Sequence, residues 1–200
     1  MPSFRHEAGL ESEPMSQPSK ILRPAGRVHV CPFNAVSLTV SRSGAAHLMT
    51  CLHDDVQETP SSIHPDRHLR LVMHDIAEVM PDYTAPNVEH IERLIEFARV
   101  WGGHDAMVVH CWAGISRSTA AAFISLCAIN PEAPEQLIAR RLREASPTAY
   151  PNRLMVRLAD EVLSRRGRMI DAIERIGRGE IASEAIPFSL AADVTADASR

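Results

Sequence analysis

The run His110-Cys111-Trp112-Ala113-Gly114-Ile115-Ser116-Arg117-Ser118 constrains what this 200-residue chain can fold into more than any other segment. A cysteine and an arginine stand with five residues between them, and a glycine lies in the interval. Upstream, Ala106-Met107-Val108-Val109 reads as a short buried strand; downstream, Thr119 to Ile129 reads as an apolar helix. The run between them is therefore a tight loop opening on a helix N-terminus. Unpaired N–H groups and the positive end of the helix dipole gather there. Successive loop amides can add a concave nest for an anion.

Each residue type suits that geometry. Cys111 acts only as a thiolate, a form favoured by helix N-termini and nearby cations. Arg117 supplies such a cation and can grip two oxygens of one oxyanion with parallel hydrogen bonds, which a lysine cannot. Gly114 permits backbone angles or close approaches that a side chain would obstruct. Ser118 either donates to the sulfur when it leaves or satisfies a free amide at the helix start. His110 is expected to orient the loop by hydrogen bonding rather than act as a base. Trp112, Ala113, Gly114, Ile115 and Ser116, with Arg117, form the expected phosphate-binding interior.

The loop resembles the signature of the cysteine-dependent protein tyrosine phosphatase superfamily, His-Cys-x-x-Gly-x-x-Arg-Ser/Thr, at every defined position. The Ala-Gly-Ile-Ser-Arg-Ser run and the short chain look most like the dual-specificity branch and its bacterial relatives. The resemblance spans residues 27 to about 165. It implies a single compact α/β domain with a central, mostly parallel sheet flanked by helices. It also implies hydrolysis of phosphotyrosine in proteins, and of phosphoserine and phosphothreonine if the pocket is shallow, through a phosphocysteine intermediate.

Such a reaction needs a proton for the leaving oxygen. Family members carry an aspartate for this on a loop upstream of the nucleophile, after a strand. Asp75 follows the strand Leu69-Arg70-Leu71-Val72-Met73 and is favoured, because a strand end fixes a side chain; Asp82 and Glu78 are the alternatives. Asn152 is similar to an asparagine that braces the phosphate loop in related enzymes; a helix cap after Pro151 is the plainer reading.

A net charge of −4 gives no global field for nucleic acid, and no apolar run approaches the length of a membrane span. Cys31, Cys51, Cys111 and Cys127 are widely spaced with no Cys-x-x-Cys pair, which indicates neither a disulfide scaffold nor a zinc site. His64, His68 and His74 lack helical pairing or carboxylates at a known ligand spacing. No cofactor or metal is expected, and the expected partner is a phosphorylated protein. A thiolate enzyme needs a reducing compartment, which points to the cytoplasm. Two readings compete: a pseudophosphatase that binds phosphopeptides, and a phosphatase for phosphoinositides or other phosphomonoesters. The loop interior carries no extra lysine, which disfavours highly charged head groups. Sulfur transfer and arsenate reduction use similar anion loops but place or size them differently.

The expected organisation is a flexible leader over 1–24, a phosphatase domain over 25–179 and a frayed tail over 180–200. Strands are expected at Arg27 to Cys31 and His47 to Leu52, and a helix at Asn34 to Arg42 ended by Gly44. Asn87 should cap a helix that Gly102-Gly103 stop. The C-terminal third should hold helices over Ala133 to Glu144, Asn152 to Arg166 and Met169 to Ile176. Arg140, Arg141, Arg143, Arg165, Arg166 and Arg168 are read as a solvated basic face.

Overall fold

The computed structural model describes residues 26–194; the leader expected over 1–24 lies outside them. Five strands form one sheet: β1 (Arg27–Pro32), β2 (His47–Leu52), β3 (His68–Val72), β4 (Ala106–Cys111) and β5 (Phe188–Ala191), in the order β3-β2-β4-β1-β5. The first four are parallel neighbours, and β5 runs antiparallel on the edge beside β1. Period-two alternation divides the core between two faces. Cys31, Leu48 and Val108 face α1 (Val36–Ser43), packing with Val36 and Val40. Val28, Val30, Met49, Cys51, Met107, Val109 and Cys111 face the opposite way, toward the larger core. Burial on both faces is why these strands read as near-continuous apolar runs.

The other helices, α2 (Val88–Trp101), α3 (Arg117–Ile129), α4 (Glu135–Ala145), α5 (Arg153–Val162) and α6 (Arg168–Ile176), supply that larger core. Helix α3 is buried from Arg117 to Ala128, as an almost uniformly apolar helix must be. Asn87 and His90 form a reciprocal cap on α2, and Gly102, in the left-handed region, closes it.

Three sequence expectations need correction. The helix expected over Asn152 to Arg166 ends at Val162, because Ser164 and Arg166 take positive φ and turn the chain into α6. Arg165 is not part of a solvated face. It is 7% exposed and donates to Glu135 Oε1 and to the carbonyls of Cys127 and Pro131. The tail expected over 180–200 contains β5, whose Phe188, Ser189, Leu190 and Ala191 pair with Val30, His29, Val28 and Arg27.

Candidate active site

Strand β4 ends on Cys111 and α3 begins at Arg117, so the five intervening residues turn the chain from sheet to helix. Gly114 makes the turn possible: its φ is +73°, and a Cβ there would lie 2.8 Å from Pro32 N and 2.9 Å from Cys31 C. The loop carbonyls are tied to surrounding segments. Trp112 O accepts from Phe33 N at 3.0 Å, Ala113 O from Ala185 N at 2.9 Å, and Ile115 O from Tyr150 N at 2.9 Å. Ser116 O accepts from Ala120 N, Asn152 N and the Thr119 hydroxyl. No peptide among the described residues is cis. Each anchored carbonyl therefore turns the next residue's N–H the opposite way, away from its anchor. The amides of residues 113, 114, 116 and 117 thus point away from their own anchors, which leaves them available to an anion.

The reactive side chains converge on this loop. Cys111 is 2% exposed, and its Sγ lies 3.1 Å from Ser118 Oγ. Arg117 is also buried; its Nη1 donates to Met73 O at 2.8 Å, while its Nε has no hydrogen-bond partner. A buried guanidinium N–H with no hydrogen-bond partner, beside the loop amides, is a donor suited to an oxyanion. Burial pushes the Cys31 thiol up to about 11 and the Cys51 thiol to about 12, and raises Cys127 as well. They remain protonated, inert core residues.

Asp75 meets the loop from the far side. Its Oδ1 accepts from Ser116 Oγ at 2.6 Å and from Asn152 Nδ2 at 2.9 Å, leaving Oδ2 3.8 Å from Arg117 Nε. Asp82 sits in an exposed turn with φ of +65°, and Glu78 is also exposed; among the described residues neither is hydrogen-bonded or ion-paired to the loop. Asn152 caps α5, but its side chain reaches the Asp75 segment rather than the cysteine loop, which only its backbone N–H contacts at Ser116 O. Its Oδ1 accepts from Met155 N and caps α5, while its Nδ2 holds Asp75 and the Ile76 carbonyl.

His110 is fully buried, and its Nε2 lies 2.7 Å from Thr50 Oγ1. The chain of bonds continues from Thr50 to His68 Nε2 at 2.8 Å, and from His68 Nδ1 to Thr59 Oγ1 at 2.8 Å, where Arg70 also donates. Burial pushes both rings down to about 4, so each is neutral at pH 7 and holds one N–H and one acceptor nitrogen. Nothing in the sequence pattern signals this cross-strand chain, because Thr50 and His68 meet His110 only through the pairing of β3, β2 and β4. His68 is thus engaged here, His64 accepts from Asp66 N and His74 accepts from Thr84 N. Among the described residues, no group of three or more His, Cys, Asp or Glu side chains converges to hold a metal. No helix among them is long and apolar enough to cross a membrane.

The rim is aromatic. Trp112, 54% exposed, stacks on Phe33 with ring centroids 5.3 Å apart. His53 borders Trp112, and His74 borders His53 and Tyr83.

This sheet, with the cysteine loop at the carboxyl end of β4, is the fold of the cysteine-dependent dual-specificity and tyrosine phosphatases. The chain is similar to DUSP15, with a TM-score of 0.54 and 22% identity over 80% of this chain and 97% of the other. It is also similar to human DUSP28 (TM-score 0.53, 15% identity, 70% and 92% coverage) and to the Cydia pomonella PTP-2 phosphatase (TM-score 0.52, 15% identity, 80% and 92% coverage). At these identities the likeness defines the fold. No protein-family model and no curated protein sequence matches the chain.

Proposed function

We propose that this protein is a cysteine-dependent phosphatase that hydrolyses phosphotyrosine in proteins. The observation that carries the reading is the arrival of Asp75 at the same loop as Cys111 and Arg117, with Oδ1 held by Ser116 and Asn152 and Oδ2 directed at Arg117. A loop that only bound phosphate would need no carboxylate there. In the first step the Cys111 thiolate forms an S–P bond as the ester P–O bond breaks, and Asp75 Oδ2 gives its proton to the leaving oxygen. In the second, water attacks the phosphocysteine, Asp75 takes the proton of that water, and the S–P bond breaks as Ser118 donates to sulfur. The products are the phenol or alcohol and inorganic phosphate.

Loop amides and the Arg117 fork stabilise the equatorial oxygens in both steps. The Phe33–Trp112 stack offers an apolar wall to an aryl ring, which favours phosphotyrosine. The interior from Trp112 to Ser116 has no cationic side chain, which disfavours polyphosphorylated head groups. The test is hydrolysis of an aryl phosphate in the presence of a chelator. Activity abolished by Cys111→Ser and inhibited by vanadate supports the reading; full activity in Cys111→Ser overturns it. Capture of phosphotyrosine, phosphoserine or phosphoinositide by the Cys111→Ser protein then distinguishes the substrate classes.

A further inference from the structure

Among the described residues, the chain between α6 and β5 makes one hydrogen bond to the phosphate loop, and it is fastened on both sides of that bond. Near α6, Arg143 donates to Gly177 O at 2.9 Å and Glu180 N donates to Pro147 O at 2.9 Å. Gly179 fits so closely that a Cβ would lie 2.6 Å from Pro147 O and 2.8 Å from Ala149 O. Asn34 Nδ2 donates to Glu184 Oε2 at 3.0 Å. Beyond, β5 pairs with β1, and Ala192 N donates to Gly26 O at 2.8 Å. Between these fastenings Ala185 is 5% exposed, and its N–H donates to Ala113 O at 2.9 Å.

Among the described residues, Ala185 is the one hydrogen-bond partner of the Ala113 carbonyl, whereas Ser116 O has three donors. The peptide plane between Ala113 and Gly114 is also the most easily turned in the loop, because glycine accepts φ of either sign. Turned over, that plane would present a carbonyl oxygen to an anion in place of an N–H. A donor would become a repulsive acceptor at the centre of the nest.

We propose that residues 177–187 form a positioning strap, in which the Ala185 N–H fixes the Ala113–Gly114 peptide plane and so aims the Gly114 N–H at a phosphate oxygen. The proposal rests on the phosphatase reading for the identity of the anion. Ala185 touches no substrate; it acts through Gly114. Residues 180–187, read from sequence as the start of a tail, thereby become part of the catalytic framework, and chain beyond the last helix is needed for full oxyanion affinity.

The experiment compares wild type with Ala185→Pro, which deletes the N–H, and with a semisynthetic protein whose residue 185 is lactic acid, an ester that replaces only that N–H by oxygen. Vanadate inhibition, kcat/KM on an aryl phosphate and Tm are measured on each. The expected result is vanadate affinity and kcat/KM both weakened about 10- to 100-fold, the scale of removing one oxyanion donor, with the Tm of the ester within a few degrees of wild type. A merely structural strap would lower Tm and the active fraction while leaving vanadate affinity unchanged, and that outcome overturns the proposal. If Ala185→Pro does not fold, the ester decides alone. An inactive wild type that binds no vanadate sinks the phosphatase reading instead; an active wild type with an equally active, equally inhibited ester sinks the strap.

Discussion

The side-chain amide of Asn152 donates to Asp75 Oδ1 across 2.9 Å, joining residues 77 positions apart. The same residue donates its backbone N–H to Ser116 O at 3.3 Å and caps α5 through Met155 N. One residue thus couples a helix start, the segment carrying Asp75 and the loop carrying Cys111. The coupling explains why Asp75, at 37% side-chain exposure, has only one oxygen free to act.

That arrangement predicts a dependence on leaving group. Asp75→Asn should lower turnover of alkyl and unactivated phenyl phosphates by about 10²- to 10³-fold, the usual scale for a lost general acid. Turnover of activated nitrophenyl esters, which leave without a proton, should fall far less. Steady-state kinetics on a series of leaving groups provides the measurement. Equal losses across the series, or a larger effect from Asp82→Asn, would take the role from Asp75. Asn152→Ala should give a weaker version of the same pattern and also destabilise the fold by about 1 kcal/mol through loss of the α5 cap.

Ser118 lies 3.1 Å from the Cys111 sulfur, so its removal should affect sulfur as a leaving group more than as an attacker. Ser118→Ala is expected to show a burst of one equivalent of phenol followed by slow turnover, with phosphocysteine accumulating. Stopped-flow release of nitrophenol reads this directly. A variant without a burst, slowed equally in both steps, would show that Ser118 only satisfies the helix start.

Gly114→Ala should inactivate without unfolding. The added methyl would meet Pro32 N and Cys31 C below 3.0 Å, and both are backbone atoms that cannot move aside cheaply. The positive φ adds about 1 kcal/mol of strain. A loss of more than about 10²-fold in kcat/KM is expected, on the scale of a displaced oxyanion donor, with circular dichroism near that of wild type. Full activity in Gly114→Ala would mean that the loop amides do not hold the phosphate.

The loop was legible because its logic is local: strand, anion-binding turn and helix start follow one another within a few residues, and Cys111, Arg117 and Ser118 take their positions from that succession. Asp75 was legible one step further out, as a carboxylate at a strand end. Asn152 offered two readings from sequence, brace of the loop and cap; its Oδ1 makes the cap, while its Nδ2 holds Asp75 and only its backbone N–H reaches the loop. What escaped was what distant pairing decides. Thr50 and His68 carry no motif, and only the sheet brings them to His110. Residues 180–187 have no periodicity, and β5 is four residues long with a partner more than 150 positions away. Arg165 stands in an arginine-rich stretch that looks solvated until Glu135 and two carbonyls enclose it.

That enclosure has a stability consequence. Glu135 is 5% exposed; burial opposes its charge, yet hydrogen bonding to Arg168 and the nearby guanidiniums hold its carboxyl below the usual range. Removing Arg165 leaves a buried carboxylate short of a partner and two carbonyls without donors. Arg165→Met should cost about 3–5 kcal/mol, read by urea denaturation, and a second change, Glu135→Gln, should recover part of it. A loss below about 1 kcal/mol would mark the pair as no stronger than a surface ion pair.

The buried histidine chain predicts how stability responds to acid. In the folded protein His68 and His110 are pushed down to about 4 by burial, whereas an unfolded histidine titrates near ~6.5. Between those values the unfolded chain binds more protons than the native one, so stability rises with pH across that window and is lost as pH falls from about 6.5 toward 4. His29, His47 and His90 are displaced in the same direction by burial. Tm should therefore be level between about pH 7 and 8, where unfolded histidines are neutral and unfolded thiols still protonated, and drop steeply below about 6.5. In His68→Asn one of the displaced groups is gone, so the drop between pH 7 and pH 4.5 should be smaller than in wild type, whatever the variant's Tm at pH 7. An unchanged slope would mean that His68 is protonated as easily in the folded chain as in the unfolded one. Its two bonds, to Thr50 and Thr59, would then not require a neutral ring.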